Sequence, residues 1–140
     1  MANNFTPLLV VAAALQDEEA RWMMHCRPAG RDHAGLWEFP GGKVEQGENP
    51  RAALVREIEE ESSLVLSEKD LAEAGFAIGK PGEGHPAGIV ICLYSASSWA
   101  GSVQAREGGL FEWCTADEIL GLNKPPLDVE LARQLLQKSL

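Results

Sequence analysis

The sequence predicts an α/β (α+β) fold in which a mixed β-sheet is sandwiched between helices. Three observations predict it. Apolar runs of strand length are interspersed with segments of helical periodicity, the pattern of layered α and β elements. Two of the strand-like runs are separated only by a short polar turn, which adds antiparallel pairing to that order. The 140 residues, 45% hydrophobic and 24% charged, suffice for one core without disulfide or metal staples, so a single domain over residues 1–140 is expected.

The apolar run Leu8 to Leu15 reads as a strand buried on both faces. Gln16-Asp17-Glu18-Glu19 reads as a turn that returns the chain through Arg21 to Cys26 as the second strand of a hairpin. Arg27 to Leu36, with Pro28, Gly30 and Gly35, is a loop; Trp37-Glu38-Phe39 is a brief extended piece ending in a glycine-rich turn at Pro40-Gly41-Gly42. Asn49-Pro50 starts a helix, because Asn caps free N–H groups and proline at the first helical position has none to satisfy. That helix runs from Pro50 to about Ser62, with Leu54, Val55 and Ile58 on its apolar side and Glu57, Glu60 and Glu61 on another face. Ser67-x-x-Asp70 suggests a capped helical turn. Gly75 to Lys80, Gly88 to Ala96 and Gly109 to Cys114 read as strands, and Thr115 as the cap of a short helix through Leu120. After Pro125-Pro126, a last helix places Leu127, Leu131 and Leu135 on one face.

Twelve Lys and Arg against 21 Asp and Glu give a net charge of −9, which opposes adhesion to nucleic-acid polymers and anionic membranes. An acidic chain binds phosphates through local cations or through a divalent ion held by its own carboxylates. Cys26, Cys92 and Cys114 form no Cys-x-x-Cys pair and read as buried reduced thiols, while His25, His33 and His85 have no zinc-ligand spacing. The N-terminal apolar run is too short for a membrane span and has no basic flank, so a cytoplasmic protein is expected. Trp22, Trp37, Trp99 and Trp113 read as packing residues and His85 as a loop residue.

The chemistry concentrates in Gly42-(x5)-Glu48-(x7)-Arg56-Glu57-Ile58-x-Glu60-Glu61-x-Ser63-Leu64. Three carboxylates on one helix face repel one another and call for compensation, which a divalent cation supplies. All-oxygen ligation suits Mg²⁺ and Mn²⁺, ions that share their remaining positions with water and substrate phosphates. The same glutamates could equally form a solvated helix face.

This stretch resembles the Nudix box, Gly-x5-Glu-x7-Arg-Glu-U-x-Glu-Glu-x-Gly-U with U aliphatic, of the Nudix hydrolase family. Six fixed identities match, namely Gly42, Glu48, Arg56, Glu57, Glu60 and Glu61. With each residue type about one in fifteen, a chance match in this chain is on the order of 10⁻⁵. The departure is Ser63 in place of a glycine just past the helix, where a positive φ is common. Trp37-Glu38-Phe39-Pro40-Gly41-Gly42-Lys43, Arg27, Arg106-Glu107-Gly108 and Pro125-Pro126-Leu127-Asp128 extend the similarity to the MutT-like branch, where the last segment reads Pro-Pro-Ala-Asn.

The resemblance implies the Nudix fold and a set of roles. Glu57, Glu60, Glu61 and Glu107, with the Gly41 carbonyl, would bind Mg²⁺ or Mn²⁺. Glu48 and Arg56 would brace the box, and Glu57 or Glu107 would take a proton from water. Arg27 and Lys43 would neutralise phosphate. Asp128 would read the base or merely cap the last helix, and Phe39 would border the base pocket or belong to the core. The implied activity is cleavage of a (deoxy)nucleoside triphosphate, an oxidised one such as 8-oxo-dGTP included, to monophosphate and pyrophosphate. Other readings keep the box and change the substrate (a CTP-type nucleotide, ADP-ribose or a dinucleoside polyphosphate) or make the chain a noncatalytic binding module. A monomer or small homo-oligomer is expected.

Overall fold

The computed structural model describes residues 6–137. Strands β1 (Leu8–Leu15), β2 (Trp22–Cys26), β3 (Trp37–Glu38) and β4 (Gly41–Lys43) precede helix α1 (Pro50–Ser62). A 3₁₀ turn (Glu68–Asp70), β5 (Ala72–Gly79), β6 (Ile89–Ala96), β7 (Leu110–Cys114), α2 (Ala116–Gly121) and α3 (Pro126–Gln137) follow. One sheet has the order β4-β1-β6-β5 and is mixed, since β1 and β6 run parallel from Leu8↔Ile89 to Leu15↔Ala96 while its other pairs are antiparallel. The second sheet, β3-β2-β7, is antiparallel.

As expected, β1 is buried on both faces. Val11, Ala13 and Leu15 join the core beneath α1 with Ala53, Leu54 and Ile58, whereas Ala12 and Ala14 join the core beneath α3 with Leu131 and Leu135. This is the predicted sandwich of sheet between helices. The expected turn after β1 reverses the chain, with the antiparallel bridge Gln16↔Trp22 and a bond from Asp17 N–H to the Arg21 carbonyl (2.9 Å), but the expected strand pairing does not continue from it: β2 pairs instead with β3 and β7. Both edges of β1 are already taken by β4 and β6, so β2 has no hydrogen-bonding partner there.

The glycine-rich turn expected at Gly41-Gly42 is in fact strand β4, and neither glycine has a positive φ. Close approach explains both: a Cβ on Gly41 would stand 1.9 Å from the Val11 carbonyl oxygen, and one on Gly42 would stand 2.3 Å from the Glu57 carboxyl carbon. Strand β5 begins before Gly75, at Ala72, with a bulge between Glu73 and Gly75. Ser67 does not cap its 3₁₀ turn through its side chain, which closes by the backbone bond from Asp70 N–H to the Ser67 carbonyl, 3.0 Å. Cys114 is buried, but Cys26 and Cys92 are half-buried, and all three are free. Among the described residues no helix is long and apolar enough to cross a membrane.

Helix α1 spans the predicted residues, and Asn49 accepts a hydrogen bond from Ala52 N–H at 2.8 Å. Its far end is closed by Ser63 at φ 69°, ψ 1°, whose N–H donates to the Glu59 carbonyl. A side chain resists that left-handed conformation. Ser63→Gly is therefore expected to stabilise the fold by up to about 1 kcal/mol. A thermal melt showing a lower Tm for the variant would contradict this.

Candidate active site

Arg56 is the centre of the α1 face. Its guanidinium donates to Glu48 through Nε (2.7 Å) and Nη2 (2.9 Å), to Glu57 (2.9 Å) and Glu60 (3.2 Å) through Nη1, and to the Lys43 carbonyl (3.1 Å). The fork toward Glu48 is the bidentate geometry that suits a planar guanidinium. Together with the Glu45 N–H it draws the Glu48 carboxyl down to about 2. The cluster of like charges anticipated from the sequence is thus compensated in part by Arg56. Glu57 is nevertheless raised, by burial first and then by Glu60 and Glu107, against the pull of Arg56.

The free edge of β4 faces this cluster. Residues 40 and 44 bond to β1, so the intervening Gly41 and Lys43 turn their backbone polar groups outward. Lys43 offers its carbonyl to Arg56 and Gly41 its N–H to Glu61 Oε1, 3.1 Å. Glu61 is 8% exposed. Burial pushes its carboxyl up to about 8, with His25 opposing and Glu38, Glu57 and Glu107 adding to the rise. Glu107 lies on an exposed loop whose course is set by the helix end: Gln104 N–H donates to the Ser62 carbonyl (2.9 Å) and Arg106 N–H to the Glu61 carbonyl (3.0 Å). Those are carbonyls that the last turn of a helix leaves without partners. Val55, Arg56, Glu59, Glu60, Arg106 and Glu107 line the cleft between helix and loop.

A second group lies on the same segment, at Phe39. Asp128, in the first turn of α3, is buried and accepts from Phe39 N–H at 3.0 Å. Asp128 thus joins α3 to the segment after β3, and the capping role weighed for it gives way to this long-range bond. Burial pushes its carboxyl up to about 7, with Glu38 adding and Phe39, Lys124 and Arg27 opposing. The Phe39 side chain belongs to the core, with 3% exposed, so toward Asp128 it presents its backbone N–H. Arg27, expected to face phosphate, is paired with Glu38 (3.0 Å) and also donates to the Asp32 carbonyl. Lys43 has an exposed side chain at the end of β4.

Two residues that sequence reasoning passed over connect the halves. Glu38 meets Arg27, and its Oε1 lies 3.8 Å from His25 Nδ1; that same nitrogen lies 3.9 Å from Glu61 Oε2. Burial disfavours the charge on His25, but Glu38, the Gly108 carbonyl and Glu61 outweigh it and raise the imidazole above its ordinary value. The signal available in the sequence was a polar residue within an apolar strand, Trp22-Met23-Met24-His25-Cys26.

Among the described residues no three His, Cys, Asp or Glu side chains already converge as a formed metal site, because Arg56 draws Glu57 and Glu60 to itself and Glu61 turns to Gly41. The donor set still fits a hard cation. Its carboxylates are all-oxygen donors, and Glu57, Glu61 and Glu107 act on one another across the cleft. Outward-facing Gly41 adds a backbone oxygen on the same edge.

The model of the NUDIX domain matches residues 6–138. The CTP pyrophosphohydrolase of Escherichia coli (strain K12) is 33% identical over 129 residues, 89% of this chain and 88% of that protein. The 8-oxo-dGTP diphosphatase of Haemophilus influenzae is 32% identical over 130 residues, 93% and 92% of the two chains. The solution structure of the E. coli ORF135 protein superposes with a TM-score of 0.82 at 30% identity, covering 96% of this chain and 91% of that one. Fold and box therefore define one class. The chain belongs to the NUDIX domain family and is a Nudix hydrolase.

Proposed function

We propose that the protein cleaves a (deoxy)nucleoside triphosphate to the monophosphate and pyrophosphate, with a guanine nucleotide, 8-oxo-dGTP among them, as first candidate and a cytosine nucleotide as second. The observation that carries this reading is the presence of two sites on Trp37–Lys43: a carboxylate face at Gly41–Lys43 and, just before it in the chain, a buried hydrogen-bonding group, Asp128 with Phe39 N–H. A nucleoside triphosphate has a polyphosphate for the first and a base for the second. The relatives named for CTP and for 8-oxo-dGTP bracket the two base classes. Hydrolysis of an oxidised nucleotide would serve sanitation of the nucleotide pool.

In this reading Glu57, Glu60, Glu61, Glu107 and the Gly41 carbonyl hold Mg²⁺ or Mn²⁺. When bound, such a cation screens polyphosphate charge and makes water more acidic. Glu57 or Glu107 accepts the proton of the water that attacks the β-phosphorus. Arg56, anchored on Glu48, fixes the direction of Glu57 and Glu60, and Lys43 neutralises phosphate oxygen. A cytoplasmic setting and a monomer or small homo-oligomer complete the proposal, and three free thiols agree with a reducing compartment.

The test is an assay of pyrophosphate against orthophosphate release across ordinary and oxidised nucleotides with Mg²⁺. Pyrophosphate from a guanine or cytosine triphosphate is expected, and orthophosphate alone, or no turnover of any triphosphate, overturns the reading. A further result is expected from pH. Below about 8 the Glu61 carboxyl holds a proton that a cation must displace, so Mn²⁺ affinity should rise about tenfold per pH unit up to that point and then level off. Calorimetric titrations with equal affinity at pH 6 and pH 8 would contradict the role of Glu61.

A further inference from the structure

We propose that His25 is a positioning residue of the cation site: its buried imidazole clamps the loop that carries Glu107 against the strand, beside Glu61, and so sets the separation of the two acidic arms. The inference rests on the cation role proposed above for those glutamates. His25 stands on β2 with 5% exposure and its ring against Phe111, centroids 4.5 Å apart. Its Nε2 lies 3.1 Å from the Gly108 carbonyl oxygen. A carbonyl only accepts, so Nε2 carries the proton of that bond. The tautomer is thereby fixed, and Nδ1 is left toward Glu61 Oε2 and Glu38 Oε1 at 3.9 and 3.8 Å. Both separations exceed a hydrogen bond. Among the described residues Nδ1 is the one buried side-chain nitrogen or oxygen without a hydrogen-bonding partner.

The loop is shaped to receive this ring. Gly108 and Gly109 both have left-handed backbones, φ 88° and 79°. A Cβ on Gly109 would stand 2.6 Å from His25 Nε2 and 2.3 Å from the Cys26 carbonyl oxygen, so glycine is what lets the backbone lie flat on β2. On its other flank the same loop is fastened to the end of α1 by the bonds from Gln104 and Arg106 to Ser62 and Glu61. Glu107 therefore sits between two anchorages, one on the helix that bears Glu61 and one on β2, where His25 holds the Gly108 carbonyl just before the β7 pairing begins at Leu110↔Cys26. Loss of the imidazole frees the Gly108 carbonyl and leaves Glu107 tethered on that side only by the start of β7.

The test uses the whole chain without substrate. Mn²⁺ is titrated by electron paramagnetic resonance into wild type, His25→Leu and His25→Gln, and amide exchange is followed at Gly108 and Gly109. His25→Leu is expected to weaken Mn²⁺ binding by about tenfold or more, the usual scale for losing a group that orients metal ligands, and to speed exchange in the loop. His25→Gln retains an N–H for the Gly108 carbonyl and is expected to recover most of the affinity. A merely structural histidine would lower Tm without changing the affinity of the folded protein, and a folded His25→Leu with wild-type affinity overturns the proposal. The wild type provides a check free of any folding defect: long-range ¹H–¹⁵N spectra should show a proton on Nε2, and a bare Nε2 overturns the proposal too. If wild type itself binds no Mn²⁺ while Nε2 is protonated, the cation reading fails and the positioning role fails with it.

Discussion

Glu60→Gln and Glu61→Gln should each lower kcat by at least about a hundredfold with the fold intact. Polarisation and charge screening by a ligated cation are worth several kcal/mol, and two decades of rate correspond to about 2.7 kcal/mol. The geometry says why the fold survives. The side-chain oxygen of a Gln at 61 can still accept the Gly41 N–H, and a Gln at 60, a half-exposed position, leaves Arg56 its bonds to Glu48, Glu57 and Lys43. Glu61→Gln has a second expected consequence. A carboxyl raised in the folded state stabilises the fold while it is protonated, below its unfolded value of 4.5, and that contribution is lost as pH rises through about 8. The metal-free Glu61→Gln variant should therefore be the more stable protein at pH 9 and lose this part of the alkaline decline. Undiminished hydrolysis by both variants at limiting Mg²⁺ would sink the carboxylate-ligand reading.

Local chemistry was legible in the sequence. Asn49-Pro50 starts α1, Ser63 takes up the left-handed position, and Thr115 caps the start of α2, because each depends on residues within one turn of the chain. The partners of a strand are not local. An alternating or apolar run states which faces are buried but not which strand lies alongside, and that is why the turn after Leu15 read as a hairpin although β2 belongs to the other sheet. The same limit hid how the candidate site is assembled. Arg56 could be read as a brace, yet its bond to the Lys43 carbonyl requires the free edge of β4 to face α1. His25 and Glu38 gave no motif spacing to read, and they acquire meaning only when β2, β3 and the end of α1 are brought together.

Base selection should change with pH through Asp128. Near pH 8 its carboxyl, at about 7 in the folded protein, is ionised and only accepts hydrogen bonds, so it suits guanine, whose N1–H and N2–H₂ are adjacent donors. Near pH 6 the same group is protonated and offers a donor beside an acceptor, which complements the N3 acceptor and N4–H₂ donor of cytosine. Oδ2 is already engaged by Phe39 N–H, which leaves the other oxygen as the one whose protonation a base would sense. The ratio of kcat/KM for guanine over cytosine triphosphate should therefore rise between pH 6 and pH 8. A mismatched buried polar contact costs about 1–3 kcal/mol, which sets the scale at about tenfold or more. Asn carries a donor and an acceptor at every pH, so Asp128→Asn should hold the ratio near its low-pH value throughout while the metal dependence of kcat stays as in wild type. The variant also removes a carboxyl whose contribution to stability is full below 3.8 and lost as pH rises through about 7, so its Tm should decline less than that of wild type across this range. If both triphosphates change by one factor at every pH and Tm simply falls, Asp128 serves only to tie α3 to Phe39, and the base is read elsewhere.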